Sequence, residues 1–234
     1  MSKYVICGME KLSLVDYDKK LSATLFSNGC NFDCSFCHNS SLVHSQDVVE
    51  LKEEEYLEYL EKRKKTLDAV VITGGEPTLM PDLEERIIKI KEKGLLVKLD
   101  TNGSNYSTLK KLIEKKLIDY VAMDIKNSFE QYFNTIGISF NKNIIENIKK
   151  SIDLLKQNNI DYEFRTTLVE ELHNEESIEQ LGRLIEGSNK LFLQKFIDRG
   201  TCIKNGLHEV DIKKALEYKC SLEKYVKHVE LRGY

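Results

Sequence analysis

Residues 21–39 read LSATLFSNGCNFDCSFCHN. In this stretch a segment typical of a buried strand is followed directly by a cluster of cysteines. The first six residues, LSATLF, form an apolar-rich run of the length expected for a strand that is covered on both faces. Cys30, Cys34 and Cys37 then fall within eight residues of the loop that follows. We expect this loop to lie at the ligand-binding end of the fold, because ligands of parallel α/β proteins bind where the strands end.

Five more runs of the same kind follow along the chain, and helical apolar stripes separate most of them. This alternation is typical of βα units that build a parallel sheet. The further strands are predicted at 69–73, 95–100, 120–125, 162–167 and 191–196. The helices are predicted near 53–65, 82–94, 109–113, 144–155 and 178–185.

Six such units predict an α/β fold, since an eight-unit barrel needs about 250 residues and this chain has 234. The strands fit either an incomplete barrel that is open on one side or a flat doubly wound sheet, and periodicity alone does not choose between them. No stretch marks a domain boundary, so we expect a single domain over 1–234 with its motifs in about 20–200. In the tail, 203–234, residues 226–231 are either a last strand or a docking element.

Composition excludes two classes of partner. The chain has 35 Lys and Arg residues against 38 Asp and Glu residues, a net charge of −3, so no basic surface for nucleic acid is expected. No apolar run approaches the roughly 18 residues that span a bilayer, so no membrane partner is expected. The amino terminus has charges throughout and no apolar core of a secretion signal, and we therefore expect a cytoplasmic protein.

The clustered cysteines are the strongest chemical signal, because grouped thiols in a reducing compartment are more often metal ligands than disulfides. Three thiolates can bind one zinc ion and leave its fourth position open, or they can bind three irons of a [4Fe–4S] cluster and leave the fourth iron without a cysteine ligand. A closed structural zinc site needs a fourth ligand, and His38 is awkwardly adjacent to Cys37. A C-x-x-C-H haem attachment or a thioredoxin-like dithiol leaves Cys30 unexplained. The remaining cysteines are scattered along the chain: Cys7, Cys202 and Cys220.

Polar or glycine-rich motifs also end the next strands. The paired glycines of Gly-Gly-Glu-Pro at 74–77 let a backbone approach a ligand closely, although an ordinary strand-to-helix turn uses them too. Asp-Thr-Asn-Gly at 100–103 ends the third strand, and Asp-Ile-Lys at 124–126 ends the fourth. Without a ligand, the first motif would be an ordinary Asn-Gly turn and the second an ordinary salt bridge. Arg165 and Gln194 lie in the last two strand patterns. If the strands are parallel, these groups meet at one mouth and suit a zwitterionic, nucleoside-bearing ligand beside a metal cluster.

Together the motifs resemble those of the radical S-adenosylmethionine (SAM) enzymes. Cys-x3-Cys-x2-Cys with Phe36 before its last cysteine is similar to their cluster motif, and Gly-Gly-Glu-Pro is similar to their motif for the SAM amino group. Cys-His-Asn, Asp-Thr-Asn-Gly and Asp-Ile-Lys narrow the resemblance to activases of glycyl radical enzymes. The stretches KLSLVDY, ATLFSNGCNF, VVITGGEPTL, VKLDTNGSN, DYVAMDIK and YEFRTTLV are most similar to activating proteins of the anaerobic ribonucleoside-triphosphate reductase. The resemblance runs over about residues 3–200.

The resemblance implies an incomplete (β/α)6 TIM-like barrel of the radical SAM type, with short terminal extensions. It also implies one [4Fe–4S] cluster, since no second Cys-x2-Cys motif occurs, and SAM bound at the iron that has no cysteine ligand. The implied cluster ligands are Cys30, Cys34 and Cys37, and with one cluster only the other three cysteines are predicted to be spare thiols. The implied SAM-binding residues are Phe36, Gly74, Gly75, Glu76, Asp100, Asn102, Asp124 and Lys126. The implied catalytic residues are Asp124, Lys126 and Arg165.

Two details follow from the pyruvate formate-lyase activase in particular. That enzyme implies a monovalent cation near Asp100, Thr101 and Asp124. It has a histidine near the end of its sixth strand, where this chain has Gln194, so no histidine-dependent contact is expected there.

The resemblance finally implies protein partners. A reduced cluster donates an electron to SAM, and the resulting 5′-deoxyadenosyl radical takes hydrogen from a glycine of a large glycyl radical enzyme, while the protein orients groups and excludes water. The implied partners are the anaerobic ribonucleoside-triphosphate reductase and a flavodoxin- or ferredoxin-like electron donor. The alternatives are another target, such as pyruvate formate-lyase, and a non-catalytic Fe–S electron carrier.

Overall fold

Strands and helices alternate along most of the chain in the computed structural model, which describes residues 4–44, 48–157, 159–198 and 200–234. The strands are β1 (Ile6–Ser13), β2 (Ser22–Ser27), β3 (Ala69–Gly74), β4 (Leu96–Thr101), β5 (Tyr120–Asp124), β6 (Asp161–Leu168), β7 (Lys190–Lys195) and β8 (His228–Arg232). The helices are α1 (Ser40–His44), α2 (Glu53–Arg63), α3 (Leu83–Lys91), α4 (Tyr106–Glu114), α5 (Tyr132–Ile136), α6 (Lys142–Lys156), α7 (Glu175–Leu184) and α8 (Ile212–Leu222), with a 3-10 turn at Pro77–Leu79. Across these described ranges, no helix combines the length and the apolar character needed to cross a membrane.

The eight strands form one sheet, in which they lie in chain order. Strands β2 to β8 are parallel, and β1 pairs antiparallel with β2 at one edge. Among the described residues, β1 and β8 do not pair with each other, so the barrel is open between them. The six predicted strands correspond to β2–β7, and the prediction of an incomplete α/β barrel is confirmed.

Strands β1 and β8, at the two edges of the sheet, add to the six predicted strands. Strand β1 is not predicted by the sequence, because an edge strand with mostly half-buried or exposed residues carries no apolar run. Of the two alternatives for 226–231, the structure has a strand there: β8 pairs in parallel with β7. The parallel part of the sheet therefore has seven strands instead of six.

Alternation along the strands divides the apolar core between two faces of the sheet. On β3, Val70 and Ile72 join the large core shared with the helices, whereas Val71 belongs to a small core inside the barrel. Tyr17, from the β1–β2 turn, packs in that inner core, and its ring centroid lies 5.3 Å from that of Tyr120. The inner face thus contains a small apolar cluster, and most residues of the predicted site lie at the carboxyl ends of the strands.

Candidate active site

A cavity of about 250 Å³ lies at the carboxyl ends of the parallel strands. Its wall combines thiols, a glycine, two carboxylates and two cationic side chains. The lining residues are Cys30, Phe32, Cys34, Phe36, Cys37, His38, Asn39, Val43, Thr73, Gly74, Asp100, Asn102, Asp124, Lys126, Arg165, Thr167 and Gln194. The structure therefore brings together the groups that we expected at the mouth of a parallel sheet.

A larger groove of about 610 Å³ lies at the open edge of the barrel, between the β1–β2 turn and strands β7 and β8. Its wall includes Leu14, Val15, Phe192 and Arg232, and its described residues contain none of the predicted site residues. We place the candidate site in the smaller cavity, because thiols and paired charges occur together there.

The cysteine loop, residues 30–39, contains neither helix nor strand and is held from two sides. The Asp33 N–H donates to the Ile136 carbonyl at 2.8 Å, at the end of α5. The Lys204 N–H, from the segment after β7, donates to the Ser35 carbonyl at 2.9 Å. These long-range bonds give an irregular loop a defined position above the sheet.

Burial raises the pKa of the thiols in this loop. The pKa of Cys30 rises to about 12, because burial and then the Glu76 carboxylate oppose a thiolate, and burial raises the pKa of Cys34 to about 11. The Lys126 ammonium acts in the opposite direction on these two thiols and on Cys37. At neutral pH the thiols carry their protons, so a metal that binds them must displace protons.

The donor set fits an iron–sulfur cluster. No group of three His, Cys, Asp or Glu side chains within the described ranges is gathered tightly enough to hold a metal ion. The three thiols line one shared cavity instead, and a multi-iron cluster, unlike a single zinc ion, binds each cysteine on a different iron. Cys30, Cys34 and Cys37 would hold three irons of such a cluster, and the fourth iron would have no cysteine ligand.

The Gly-Gly-Glu-Pro loop packs against the chain around the cysteines with no space for a side chain. A Cβ on Gly75 would lie 2.0 Å from the Gly29 carbonyl oxygen, and Gly74 has φ +114°, which side-chain-bearing residues rarely adopt. The Asn39 side-chain amide also donates to the Gly74 carbonyl at 3.0 Å. The glycine pair therefore serves a close approach between two loops of the site.

We expect Gly75→Ala to lower the free energy of unfolding by about 1–3 kcal/mol, because the added Cβ meets backbone that cannot move aside easily. Gly8→Ala in β1 is the matched control, since a Cβ there meets nothing closer than 3.8 Å. We expect that control to stay within about 0.5 kcal/mol of wild type in urea denaturation. Equal losses in the two variants would contradict the close-approach explanation.

Glu76 turns away from the cavity. Its carboxylate accepts hydrogen bonds from Thr78 Oγ1 at 2.5 Å, Thr101 Oγ1 at 2.7 Å and the Asn102 N–H at 2.7 Å. Burial raises the pKa of Glu76, and these donors favour its charged form. The side chain ties the end of β3 to the end of β4, so its carboxylate is not available to a ligand in the cavity.

Asn102 joins the end of β4 to the cysteine loop. Its side-chain amide donates to Asn31 Oδ1 at 3.0 Å and lies 3.9 Å from Cys30 Sγ. Ser104 Oγ donates to Asn102 Oδ1 at 2.6 Å and accepts from the Asn31 amide at 2.8 Å. Sequence reasoning missed Asn31 and Ser104, because a single polar loop residue has no distinguishing pattern.

Charged side chains from β4, β5 and β6 form one ion-pair network in the cavity wall. Arg165 donates through Nε to Asp124 Oδ1 at 2.7 Å and through Nη1 to Asp100 Oδ2 at 3.0 Å. Lys126 donates to Asp124 Oδ2 at 2.9 Å, and its ammonium lies 5.8 Å from the Phe36 ring centroid. The fork of the guanidinium thus links two carboxylates on neighbouring strands.

The network keeps Asp124 and Lys126 ionised. Burial opposes the charge of Asp124, but Arg165 and Lys126 outweigh it and lower the pKa of the carboxyl to about 2. Burial likewise opposes the charge of Lys126, but Asp124 and Cys34 outweigh it and raise the pKa of the ammonium. At neutral pH the cavity offers fixed charges of both signs to a zwitterionic ligand.

The other cysteines are not part of the described cavity wall. Cys220 is exposed on α8, and the Cys7 thiol donates to the Phe26 carbonyl at 3.3 Å. The pKa of Cys202 rises to about 11 through burial, then Asp198, with a smaller contribution from Cys37. Cys202 therefore lies near the cysteine loop, a proximity that its distance along the chain does not indicate.

His173 supports the site and was also missed from the sequence. The ring is buried, Nδ1 accepts the Val169 N–H at 3.1 Å, and Nε2 lies 3.0 Å from the Lys126 carbonyl oxygen. Because Nδ1 accepts a hydrogen bond, Nε2 carries the proton and donates to Lys126. Burial lowers the pKa of His173. The neutral ring thereby holds the backbone of Lys126 in place.

This arrangement predicts a loss of stability in mild acid. In the unfolded chain His173 has its ordinary pKa of about 6.5, whereas the buried ring resists the proton, so the unfolded state binds more protons below that pH. The contribution of His173 is complete above about pH 6.5 and declines as the pH falls. We expect the free energy of unfolding, measured in urea from about pH 8 to 5, to fall less steeply in His173→Gln than in wild type. An identical slope in both proteins would assign the pH dependence to other groups.

Comparisons with known proteins agree with this geometry. The family model of the radical SAM superfamily matches residues 24–185. A protein of Methanocaldococcus jannaschii, provisionally named a glycyl-radical enzyme activating enzyme, is 39% identical over 198 residues, which are 83% of this chain and 80% of that one. The pyruvate formate-lyase-activating enzyme of Clostridium pasteurianum is 33% identical over 127 residues, 52% of each chain. The crystal structure of a radical SAM methyltransferase from Sphaerobacter thermophilus has the same fold, with a TM-score of 0.72 at 15% identity over 94% of this chain and 68% of that one.

The fold, the cysteine loop and the family match together define the class: this chain belongs to the radical SAM superfamily. Membership implies a [4Fe–4S] cluster and SAM, and the resemblance inferred from the motifs is confirmed at this level. Within the superfamily, the chain is similar over most of its length to a protein named for activating glycyl radical enzymes.

Proposed function

We propose that this protein activates a glycyl radical enzyme and that its target is the anaerobic ribonucleoside-triphosphate reductase. The observation that carries the proposal is the cavity in which three thiols, the glycine loop and the Arg165 ion-pair network meet. The similarity to the M. jannaschii protein supports the activase class. The quoted sequence stretches, from KLSLVDY to YEFRTTLV, support the particular target.

In this proposal the residues that line the cavity bind and orient the cofactors. When bound, the cluster and SAM supply the electron transfer and the 5′-deoxyadenosyl radical that no side chain can provide. The proposed cluster ligands are Cys30, Cys34 and Cys37. The proposed SAM-binding groups are the backbone of Gly74, Gly75 and Glu76 and the side chains of Phe36, Asp100, Asn102, Asp124 and Lys126.

Asp124, Lys126 and Arg165 are the proposed catalytic residues, because they line the cavity and are held by one another. Charges that are fixed in advance stabilise a polar ligand without having to reorganise around it. The surrounding aromatic and aliphatic side chains, such as Phe32 and Val43, limit access of water to the same space.

The open edge of the barrel favours a polypeptide as the second substrate. A hydrogen atom is transferred only between groups in van der Waals contact, so a loop of the partner must reach the cavity at the mouth. A sheet that is not closed between β1 and β8 leaves room for such a loop. A flavodoxin- or ferredoxin-like protein is the proposed source of the electron.

The monovalent cation expected near Asp100, Thr101 and Asp124 stays a prediction of the resemblance, and we do not include it in the proposal. The two carboxylates already face three cationic side chains, Lys98, Arg165 and Lys126. The Thr101 hydroxyl donates to Glu76. A further positive charge therefore has little unbalanced negative charge to attract it.

The test uses the full chain, reconstituted anaerobically with iron and sulfide, reduced with dithionite and mixed with SAM and candidate glycyl radical enzymes. We expect 5′-deoxyadenosine, methionine and the glycyl EPR doublet with the anaerobic ribonucleoside-triphosphate reductase. A doublet only with pyruvate formate-lyase would transfer the proposal to that target. Reconstituted protein that accepts electrons without cleaving SAM would be an electron carrier and would overturn the proposal.

A further inference from the structure

Lys98 is a buried lysine beneath the cavity that the proposed function does not use. Its side chain lies on the inner face of β4 with only 5% of its surface exposed. An ammonium in such a place is unfavourable unless fixed partners compensate for its lost hydration. The partners of Lys98 therefore indicate its role.

Three groups surround the Lys98 ammonium. It donates a hydrogen bond to the backbone carbonyl of Asp16, in the β1–β2 turn. Its Nζ lies 3.4 Å from Asp100 Oδ1 and 5.8 Å from the ring centroid of Tyr120. Thr24 Oγ1 donates to the Asp16 carboxylate at 2.6 Å, which holds the turn that supplies the carbonyl.

Asp100 depends on two cations for its position. Arg165 holds Oδ2 at 3.0 Å, whereas Oδ1 is buried and has no hydrogen-bond donor within the described part of the chain. The charge that compensates Oδ1 is the Lys98 ammonium. Because residues 98 and 100 share one face of a strand, Lys98 lies directly below a carboxylate that lines the cavity.

We propose that Lys98 is a positioning residue for SAM binding: anchored by the Asp16 carbonyl, its ammonium holds the Asp100 carboxylate in place in the cavity wall without a cation from solution. The inference rests on the proposed function, since SAM is the ligand that Asp100 serves. It also links the β1–β2 turn, at the opposite end of the barrel, to the geometry of the site.

The test measures SAM affinity by calorimetry on the cluster-reconstituted protein, in potassium buffer and in buffer whose only cation is the bulky tetramethylammonium. Wild-type affinity should be the same in both buffers. Lys98→Met should bind SAM about tenfold more weakly in tetramethylammonium, because Asp100 Oδ1 is left buried without compensation. Potassium should restore part of that loss, and Lys98→Arg, which keeps the charge, should stay closer to wild type than Lys98→Met.

Lys91→Met is the matched control. Lys91 pairs with Asp119 at 2.7 Å, is also partly buried and lies outside the cavity wall. Its loss should change thermal stability without changing SAM affinity or its cation dependence. Comparing SAM affinity in the two variants distinguishes the positioning of Asp100 by Lys98 from the general effect of losing a buried charge pair.

Wild-type SAM affinity in Lys98→Met, in both buffers, would overturn the inference and leave the proposed function intact. Absence of SAM binding by the reconstituted wild-type protein would overturn both. If Lys98→Met does not fold, Thr24→Val decides the matter, because it loosens only the turn that anchors Lys98. We expect Thr24→Val to weaken SAM binding by about two- to threefold, and unchanged affinity there would count against the inference.

Discussion

Cys34→Ala is expected to abolish cluster assembly and SAM cleavage while leaving the fold in place. Cys34 is the most buried of the three thiols and lies in a loop that long-range hydrogen bonds hold, so loss of one small side chain leaves the backbone supported. A cluster that has lost one of three protein ligands keeps too few thiolates to be retained. Iron and sulfide analysis after anaerobic reconstitution should fall from about four irons per chain to background.

Cys220→Ala is the control for this prediction, because Cys220 is exposed on α8, away from the cavity. We expect it to assemble the cluster and cleave SAM as wild type does, and circular dichroism should show the same fold for both variants. Cys202→Ala adds a stricter comparison, since Cys202 lies near Cys37. Normal iron content in Cys34→Ala, or loss of iron in Cys202→Ala, would show that the ligand set differs from the proposed one.

Arg165→Met is expected to produce the largest loss of stability among the site variants. The Arg165 side chain is 12% exposed and pairs with both Asp100 and Asp124, so its removal leaves two largely enclosed carboxylates with weaker compensation. Removing one partner of a buried ion pair costs about 3–5 kcal/mol. We expect a fall of this order in the free energy of unfolding, measured in urea, together with loss of SAM binding.

Arg183→Met is the matched control on the surface. Arg183 pairs with Glu179 within α7 at 3.4 Å, and its side chain is 67% exposed. Exposed pairs of this type contribute less than about 1 kcal/mol. Arg165→Lys separates charge from geometry, because one ammonium cannot reproduce the two-sided fork, and we expect it to recover part of the stability but little SAM affinity. An Arg165→Met protein as stable as Arg183→Met would refute the structural role of the network.

The sequence predicts the position of each strand that is buried on both faces. The six runs from 21–26 to 191–196 all became strands, because a parallel sheet covered by helices requires continuous apolar segments. Strand β1 carries no such signal, since an edge strand is stabilised by pairing along one side and leaves most of its residues partly exposed. Opening of the barrel is likewise a property of how β1 and β8 lie, and no single segment encodes it.

The ligand-type residues of the site are visible in the sequence because they are grouped. Cys30, Cys34 and Cys37 occur in one loop, and each polar motif sits at the end of a strand. Their supporting residues are not grouped. His173 contacts the site through the Lys126 carbonyl, and Lys98 contacts it through the Asp100 carboxylate. Neither has a motif around it in the sequence, so they look like an ordinary loop histidine and an ordinary strand lysine.

The amino-acid sequence alone therefore determined the alternation of strands and helices, the cysteine loop and the charged residues at the strand ends, because each depends on residues that are close together in the chain. Only the folded chain decided that the Glu76 side chain turns away from the cavity, that Arg165 bridges two strands and that Lys98 lies under Asp100. Those facts depend on distances between strands, and such distances arise only when the sheet curls and brings remote segments into contact.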